Sequence, residues 1–405
     1  MLRTKSQAIV LFIILSSFLL SNCNDKDGVK PDSNSNIIFY NETGTEAVRK
    51  VVSLNDGGFI YVGQANNKAF AMRISSNGDR LWYKSFGGGI NAAFNDAQEK
   101  PDGEIVLVGY TSSAENSIGR RAGLVIAVNS TGEVTWQKTY PGATMREFYT
   151  LTVSNDASII VAGYVATSDL DSWIMRIKSG GDIIWSRVHE NISAWHDATT
   201  SILQGADGNY VISGYASPDA SSVNNSKFLT YLHGIDASNG SLAWGGVFYQ
   251  YPNRYYTKET EVPQAINYED GFVFGTSQYD SDTVLHIQLV KTNNFGKNLL
   301  GKKYYGLGEA VFRNIQKTKD GGLLISGSTR ELTAPLGSRQ GFLLKVNSAG
   351  EEDWSSFTGG MSTEDYAMQS RSTSTGWNNA GYSTNSRGVN SLMFYKTNKT
   401  GEITD

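Results

Sequence analysis

Two short sequence units alternate along most of the chain, and they limit the folds that it can adopt. The first is a turn that feeds a short apolar strand ending in glycine, as in DGGFIYVG (56–63) and DGEIVLVG (102–109). Its further copies lie at 156–163, 207–214, 270–275, 320–327 and, in degenerate form, 375–381. The second unit is a glycine turn that in most copies leads to a tryptophan, as in SNGDRLW (76–82). Its further copies lie at 130–136, 179–185, 238–244, 294–300, 348–354 and 399–405. Strict alternation at a period of about fifty residues is typical of a repeat protein.

Each repeat contains four strand candidates separated by turn residues. In the first repeat they read EAVRKVVSL, GFIYVGQA, AFAMRIS and RLWYKSF. Asp-Gly and Asn-Gly between apolar runs are hairpin signals, because glycine accepts the positive φ that tight turns require. Plentiful glycine and tyrosine (43 and 21 residues) with only 7 prolines also favour a β protein. We therefore predict an all-β fold, a seven-bladed β-propeller of four-stranded antiparallel blades, over residues 36–405.

The chain ends on NKTGEITD, where the second unit is cut off just as its strand should begin. The N-terminal stretch NIIFYNETG (36–44) is similar to the strand and exit turn that follow this unit elsewhere, as in LWYKSFGGG (81–89). We therefore predict that the last blade is closed by strands from both chain termini, which removes the two exposed sheet edges of an open array.

The N-terminus has the features of a secretion signal. Arg3 and Lys5 precede an apolar stretch at 8–20 that is too short to span a bilayer, and the only cysteine, Cys23, follows. Residues 20–23 resemble a bacterial lipobox, although Asn22 departs from the usual Gly, Ala or Ser. We predict a lipoprotein signal peptide at 1–22, lipidation of Cys23 and a flexible tether at 23–35. The alternative is an ordinary cleaved signal peptide followed by an unmodified cysteine.

The repeats resemble the propeller lipoproteins of Bacteroidota, with blades of the form NGxxxW and DGGxxVxG, and more distantly the quinoprotein-type propellers. The resemblance covers residues 36–405 and implies the fold, but little about function. Asp25 and Asp27 after the cysteine are similar to the surface-export signal of such lipoproteins. This resemblance implies an outer-membrane protein, lipid-anchored and exposed at the cell surface.

Residues that recur in every blade have structural explanations. We expect the repeated tryptophans to pack between neighbouring blades, namely Trp82, Trp136, Trp185, Trp244 and Trp354. We expect the repeated aspartates to form Asx-turn hydrogen bonds, namely Asp56, Asp102, Asp156, Asp207, Asp270 and Asp320.

An acidic residue also recurs where the first strand of most repeats should start. These residues are Glu46, Glu147, Asp197, Glu261, Glu309 and Asp365. Since such positions gather at one mouth of a propeller's channel, they can form a ring that holds a cation. The alternative is that each carboxylate accepts backbone N–H bonds at its strand start, because a ring of unpaired carboxylates is electrostatically costly.

Departures from the repeat are the candidate binding sites, because loops vary freely over a fixed scaffold. The segment 247–262 holds four tyrosines and an arginine, which suit sugar rings or protein hot spots: Tyr249, Tyr251, Arg254, Tyr255 and Tyr256. A second departure places Trp195 and His196 just before Asp197. Because consecutive strand residues point to opposite faces, we expect His196 and Asp197 to diverge rather than form a catalytic pair.

The sequence contains none of the common enzyme motifs, and we predict no catalytic residues, metal or cofactor. A net charge of −4 gives no reason to expect nucleic acid as a partner. We predict a monomeric, non-enzymatic binding module that presents its loops to a glycan or to an envelope or extracellular protein. The alternatives are a carbohydrate-active hydrolase or lyase that uses channel-mouth carboxylates, and a structural scaffold of an envelope assembly.

Overall fold

A computed structural model describes residues 36–87, 90–112, 120–190, 196–217, 229–250, 263–279, 285–304, 309–330, 339–359 and 363–404. The predicted signal peptide, Cys23 and the tether lie outside these residues. Within them, 29 strands form seven antiparallel sheets without any helix. This described part therefore has no helix with the length and apolarity that a bilayer crossing requires.

Six sheets each contain four strands that are consecutive in the chain. The first strand of the described residues is β1 (Ile37–Tyr40), which belongs to the last blade. Blade 1 comprises β2 (Ala47–Ser53), β3 (Phe59–Ala65), β4 (Lys68–Ile74) and β5 (Arg80–Phe86). Blade 2 comprises β6 (Asn91–Glu99), β7 (Ile105–Ser112), β8 (Arg121–Val128) and β9 (Val134–Tyr140). Blade 3 comprises β10 (Arg146–Val153), β11 (Ile159–Ala166), β12 (Leu170–Ile177) and β13 (Ile183–His189).

The same order continues around the ring. Blade 4 comprises β14 (His196–Gln204), β15 (Tyr210–Ser217), β16 (Leu229–Ile235) and β17 (Leu242–Gln250). Blade 5 comprises β18 (Gln264–Tyr268), β19 (Gly271–Tyr279), β20 (Leu285–Asn293) and β21 (Asn298–Tyr304). Blade 6 comprises β22 (Glu309–Lys317), β23 (Leu323–Arg330), β24 (Gln340–Val346) and β25 (Glu352–Thr358). Blade 7 comprises β26 (Thr363–Ser372), β27 (Gly376–Asn385), β28 (Asn390–Asn398) and β29 (Ile403–Thr404), together with β1.

The outer strand of blade 7 is built from both chain termini, as predicted. Strand β29 pairs with β28 up to Thr404 opposite Lys396, and β1 continues from Ile37 opposite Tyr395. The two short strands therefore occupy successive positions of one register along β28. The seven-bladed propeller with its terminal closure is confirmed.

Neighbouring blades are joined by the repeated tryptophans. Trp82 packs against the core that blades 1 and 2 share, and its indole Nε1 donates to the Ser130 carbonyl of blade 2 at 3.0 Å. Gly132, in the same turn of blade 2, has φ +76°, and a Cβ built on it would lie 2.9 Å from the Trp82 ring. The turn therefore needs glycine both for its backbone and for the indole. The same close approach recurs at Trp136 with Gly181, Trp185 with Gly240, and Trp354 with Gly401.

The repeated aspartates are confirmed as turn residues in five blades. Each accepts the backbone N–H two residues on, as Asp56 does from Gly58 at 2.9 Å. The others are Asp102, Asp156, Asp207 and Asp320, at 3.0 to 3.1 Å. Asp270 differs because its hairpin has only two residues between Tyr268 and Gly271, with Glu269 at φ +51°.

Candidate ligand site on the upper face

The first strand of each blade lines the central channel and begins at one face of the propeller, which we call the upper face. Six of these strands carry a β-bulge at the same position. The residues left without a partner in the register are Arg49, Asn95, Tyr149, Thr200, Arg313 and Met368. Bulges insert one extra residue and redirect side chains. Here they place Arg49, Asn95 and Arg313 close to the channel mouth.

One polar cluster forms around a buried carboxylate between blades 1, 2 and 3. Glu147 has a side-chain exposure of 1% and accepts from the Arg121 guanidinium at 2.6 Å. Asn95 Nδ2 donates to the same carboxylate at 2.9 Å, and Arg49 Nη1 lies 3.5 Å from it. Tyr164 also donates to it at 3.2 Å. We call these residues, with Tyr110, the Glu147 cluster.

Glu147 occupies only part of the hydrogen-bonding capacity of Arg49 and Arg121. The guanidinium carbon of Arg121 lies 4.0 Å from the centre of the Tyr110 ring, and that of Arg49 lies 5.5 Å from it. Their side chains remain 36% and 32% exposed. Burial lowers the pKa of Arg121, but Glu147 beside it has the opposite effect, and the net pKa lies above its ordinary value. Two cations therefore share one anion at an accessible surface.

The Tyr164 hydroxyl is a fixed donor rather than a base. Burial, and then the neighbouring Glu147 carboxylate, raises the pKa of Tyr164 well above its usual range. The hydroxyl therefore stays protonated at neutral pH and donates to the carboxylate.

A second cluster of the same kind lies on the upper face of blades 6 and 7. Glu309 pairs with Arg330 at 2.5 Å and lies 3.9 Å from Arg339. The Arg313 guanidinium lies 5.6 Å from the centre of the Tyr366 ring. The Tyr366 ring stacks on Tyr382, with centroids 4.4 Å apart and planes at 13°. All of these residues are partly exposed, and we call them the Glu309 cluster.

The acidic positions at the strand starts do not form an open ring of carboxylates. Glu46 accepts the Thr43 N–H at 2.7 Å, as the alternative explanation expected, whereas Asp197 accepts the Ser172 N–H of the neighbouring blade at 2.9 Å. Asp365 accepts from the Thr363 hydroxyl at 2.6 Å. Glu147 and Glu309 are instead paired with arginines, and Glu261 lies outside the described residues.

The described carboxylates therefore do not form the predicted cation ring, since each of them is already paired with an arginine or hydrogen-bonded. Among the residues that the structure describes, no group of three or more His, Cys, Asp or Glu side chains is arranged to hold a metal ion.

Of the residues predicted to bind, only His196 has a described side chain. Its Nδ1 accepts the Leu170 N–H of β12 at 3.0 Å, while Asp197 accepts two residues further along the same strand. Both side chains thus contact β12 of the neighbouring blade. The prediction that the two side chains point to opposite faces did not take β12 into account. That strand supplies a separate backbone N–H donor to each of them.

The remaining predicted binding residues stay a prediction. Tyr249 lies in β17 opposite Thr230, but its side chain is not described. The other five, Trp195, Tyr251, Arg254, Tyr255 and Tyr256, lie outside the described residues. The described strands on either side, β17 and β18, end and begin at the upper face.

These arginines were not identified from the sequence, because no arginine recurs at the same position in every repeat. A signal was present, however, in the channel strands. Arg49-Lys50, Asn95-Asp96 and Arg313-Asn314 are consecutive polar pairs within otherwise apolar strands, and such a pair interrupts the alternation where a bulge occurs.

No family model and no curated protein matches this chain. Solved structures do. Puromycin hydrolase is similar with a TM-score of 0.55 and 12% identity, over 89% of this chain and 54% of its own. A polysaccharide lyase of family PL25, an ulvan lyase bound to -[GlcA(1-4)Rha3S]-, is similar with a TM-score of 0.55 and 9% identity, over 90% and 96%. YCF48 bound to D1 peptide has a TM-score of 0.48 and 12% identity, over 92% and 98%. At these identities, the similarity shows the fold alone.

These comparisons contradict the prediction that the protein is not an enzyme. Puromycin hydrolase and the ulvan lyase are enzymes, and both share this propeller, although the chain spans only about half the length of the hydrolase. The prediction relied on the absence of motifs along the sequence. Residues that act together on a propeller come from different blades, so such motifs are a poor guide.

Proposed function

We propose that the protein binds an acidic polysaccharide across the upper face, through the Glu147 and Glu309 clusters. The observation that carries this proposal is that arginines outnumber glutamates within the two clusters. Glu364, which accepts from the Tyr366 hydroxyl, adds a third glutamate beside Glu147 and Glu309. The five arginines are Arg49, Arg121, Arg313, Arg330 and Arg339. The other strand-start acids of this face, Glu46, Asp197 and Asp365, are buried and hydrogen-bonded. Guanidinium groups suit carboxylates and sulfates because they bind two oxygens at once.

The tyrosines suit the sugar rings of such a polymer. Tyr366 and Tyr382 form a partly exposed stacked pair beside Arg313, so apolar faces and cationic groups alternate over a short distance. Because the blades are rigid, these groups lose little entropy on binding. The tyrosines of segment 247–262 remain predicted binding residues in our proposal.

The protein's place in the cell is part of the proposal. The lipobox-like residues and the acidic residues after Cys23 support a Bacteroidota lipoprotein that is held at the outer surface by acyl chains.

Cleavage of the polymer is the second candidate function. The similarity to an ulvan lyase over nearly the full length of both chains favours it, since that enzyme carries an acidic glycan on the same fold. Elimination next to a uronate needs a group that neutralises the carboxylate, which an arginine supplies, and a base. Tyr164 is unsuited as that base, because its raised pKa keeps the hydroxyl protonated. Release of unsaturated, ultraviolet-absorbing chain ends is the result that would establish a lyase.

Affinity gel electrophoresis of residues 24–405 tests binding directly. We expect retardation in gels that contain a polyuronate or a sulfated polysaccharide, and none in gels with a neutral cellulose ether. Arg121→Gln and Arg330→Gln should each weaken retardation. Arg187→Gln, the same charge change on the exposed outer strand of blade 3, should not.

Equal retardation by neutral and acidic gels, or none at all, would contradict the proposal. Retardation that is lost only in the Tyr255→Ala/Tyr256→Ala double variant would move the site to segment 247–262. If acidic gels retard the protein without any product, binding stands without cleavage.

A further inference from the structure

Glu147 is the buried acid at the centre of the Glu147 cluster, and both of its carboxylate oxygens already have donors. Its Oε1 atom accepts from Asn95 Nδ2 at 2.9 Å and lies 3.5 Å from Arg49 Nη1. Its Oε2 atom accepts from Arg121 Nη1 at 2.6 Å and from the Tyr164 hydroxyl at 3.2 Å. A carboxylate offers about four acceptor sites, so these four donors use its capacity. Glu147 is therefore unsuited to bind a ligand directly.

Both arginines of the cluster keep one edge of the guanidinium group unused. Each reaches Glu147 through Nη1, and Arg49 Nη1 also donates to the side-chain oxygen of Asn95. Within the part of the chain that the structure describes, the Nε and Nη2 atoms of Arg49 and Arg121 make no hydrogen bond or ion pair. This edge carries two parallel N–H groups, which is the arrangement that binds two oxygens of one anionic group.

Tyr110 holds the same two arginines through a second contact. The guanidinium carbons of Arg121 and Arg49 lie 4.0 and 5.5 Å from the centre of its ring, within the range of a cation–π interaction. A long side chain loses rotamer entropy when a ligand immobilises it, and this loss weakens binding. Because Glu147 and Tyr110 already restrain the arginines in the folded protein, a ligand has less of this entropy to remove.

The charge of Glu147 has the opposite effect on an anionic ligand, because it neutralises one of the two cations. If charge alone decided the affinity, removal of this carboxylate would strengthen the binding of an acidic polymer. If the position of the arginines decides it, removal would weaken binding. We expect position to prevail, because the guanidinium groups are partly exposed and their charge is screened by salt, whereas hydrogen bonds to a buried carboxylate are strong.

We propose that Glu147 is a positioning residue for the recognition of acidic polysaccharides. It holds Arg49 and Arg121, one at each carboxylate oxygen, so that their unused edges remain available to the carboxylates or sulfates of the polymer. This role rests on the proposed function, because it concerns the same site. It adds that the arrangement of the two arginines, and not only their charge, determines the affinity.

Titration calorimetry of residues 24–405 with a galacturonate oligomer of defined length tests this role. Glu147→Gln should lower the affinity by about tenfold, although the variant gains positive charge, because both arginines lose their hydrogen bond to a charged group. The number of binding sites per protein should stay at the wild-type value. A merely structural defect would instead lower this number and leave the affinity of the folded molecules unchanged. Glu147→Asp keeps the charge but withdraws the carboxylate by one methylene, and it should give an intermediate affinity.

Glu190→Gln is the matched control, since it removes the same charge from the exposed residue that follows β13 at the upper face. It should not lower the affinity. Wild-type or tighter binding by Glu147→Gln, or equal losses in Glu147→Gln and Glu190→Gln, overturns the inference. If Glu147→Gln does not fold, wild-type affinity in Glu147→Asp overturns it.

Arg121→Gln separates this role from the proposed function. Weaker binding by Arg121→Gln together with wild-type binding by Glu147→Gln would leave the arginine site in place and refute the positioning role. Absence of binding by the wild-type protein would contradict both.

Discussion

Removal of one aromatic side chain from the N-terminal strand should reveal how far ring closure stabilises the propeller. Phe39 lies in β1 opposite Met393 and is only 7% exposed. It packs with Met393 and Tyr395 in a small core that contains residues from both ends of the chain. Phe39→Ala would leave a cavity where β1 meets β28, without changing the hydrogen-bonded register.

The magnitude follows from burial. Truncation of a buried phenylalanine to alanine costs about 3–5 kcal/mol, and we expect about 3 kcal/mol here because an outer strand can partly relax around the cavity. Urea unfolding followed by tryptophan fluorescence measures this loss as a lower midpoint.

Ile38→Ala provides the matched control on the same strand. Ile38 is the neighbouring residue and is 36% exposed, so its truncation should cost about 1 kcal/mol or less. Equal midpoints for Phe39→Ala and Ile38→Ala would show that β1 does not belong to the cooperative fold. Deletion of 392–405, which removes β28 and β29, should lower the melting temperature much further, and an unchanged melting curve would refute the shared blade.

Two further predictions concern packing and pH. Gly132→Ala should destabilise the protein by about 2 kcal/mol or more, because φ is +76° and the new Cβ meets the Trp82 ring. Gly103→Ala, at φ +86° with open space around it, should cost only the backbone part, and equal losses in urea would refute the indole contact. Burial, and then His189, lowers the pKa of His233 to about 4. Stability from keeping His233 neutral is therefore present above its unfolded pKa and is lost as pH falls from about 6.5 to 4, by about 3 kcal/mol. His233→Leu should remove this step from the pH dependence of unfolding, and an unchanged profile would contradict it.

The fold was predictable because the same strand and turn signals recur in each repeat. The turn glycines, the apolar strands and the tryptophans specify a blade, and their period specifies how many blades close the ring. The terminal closure was visible in the truncated unit at 399–405 and in the strand-like 36–44. The sequence shows Gly132 only as a glycine that recurs in each copy of the unit. The packing of Trp82 from the neighbouring blade explains why this residue must lack a side chain.

The candidate site was much less predictable, since it depends on residues that differ between blades. Glu147 belonged to the predicted acidic series, yet its partners Arg49 and Arg121 lie in two other repeats and meet it only when blades 1, 2 and 3 pack side by side. The bulges decide which side chains reach the mouth. Arg49 and Arg313 lie at such bulges, and periodicity alone does not say where an extra residue enters a strand.

The salt dependence of polysaccharide binding tests the central claim, that arginines of the upper face recognise an acidic polymer. We expect the affinity of residues 24–405 for a polyuronate to fall by about tenfold between about 50 and about 200 mM NaCl, because cation–anion contacts release counterions and are screened. The Arg121→Gln/Arg330→Gln double variant should bind more weakly and with a shallower salt dependence. An affinity that does not change with salt, or an equal slope in wild type and variant, would contradict the account.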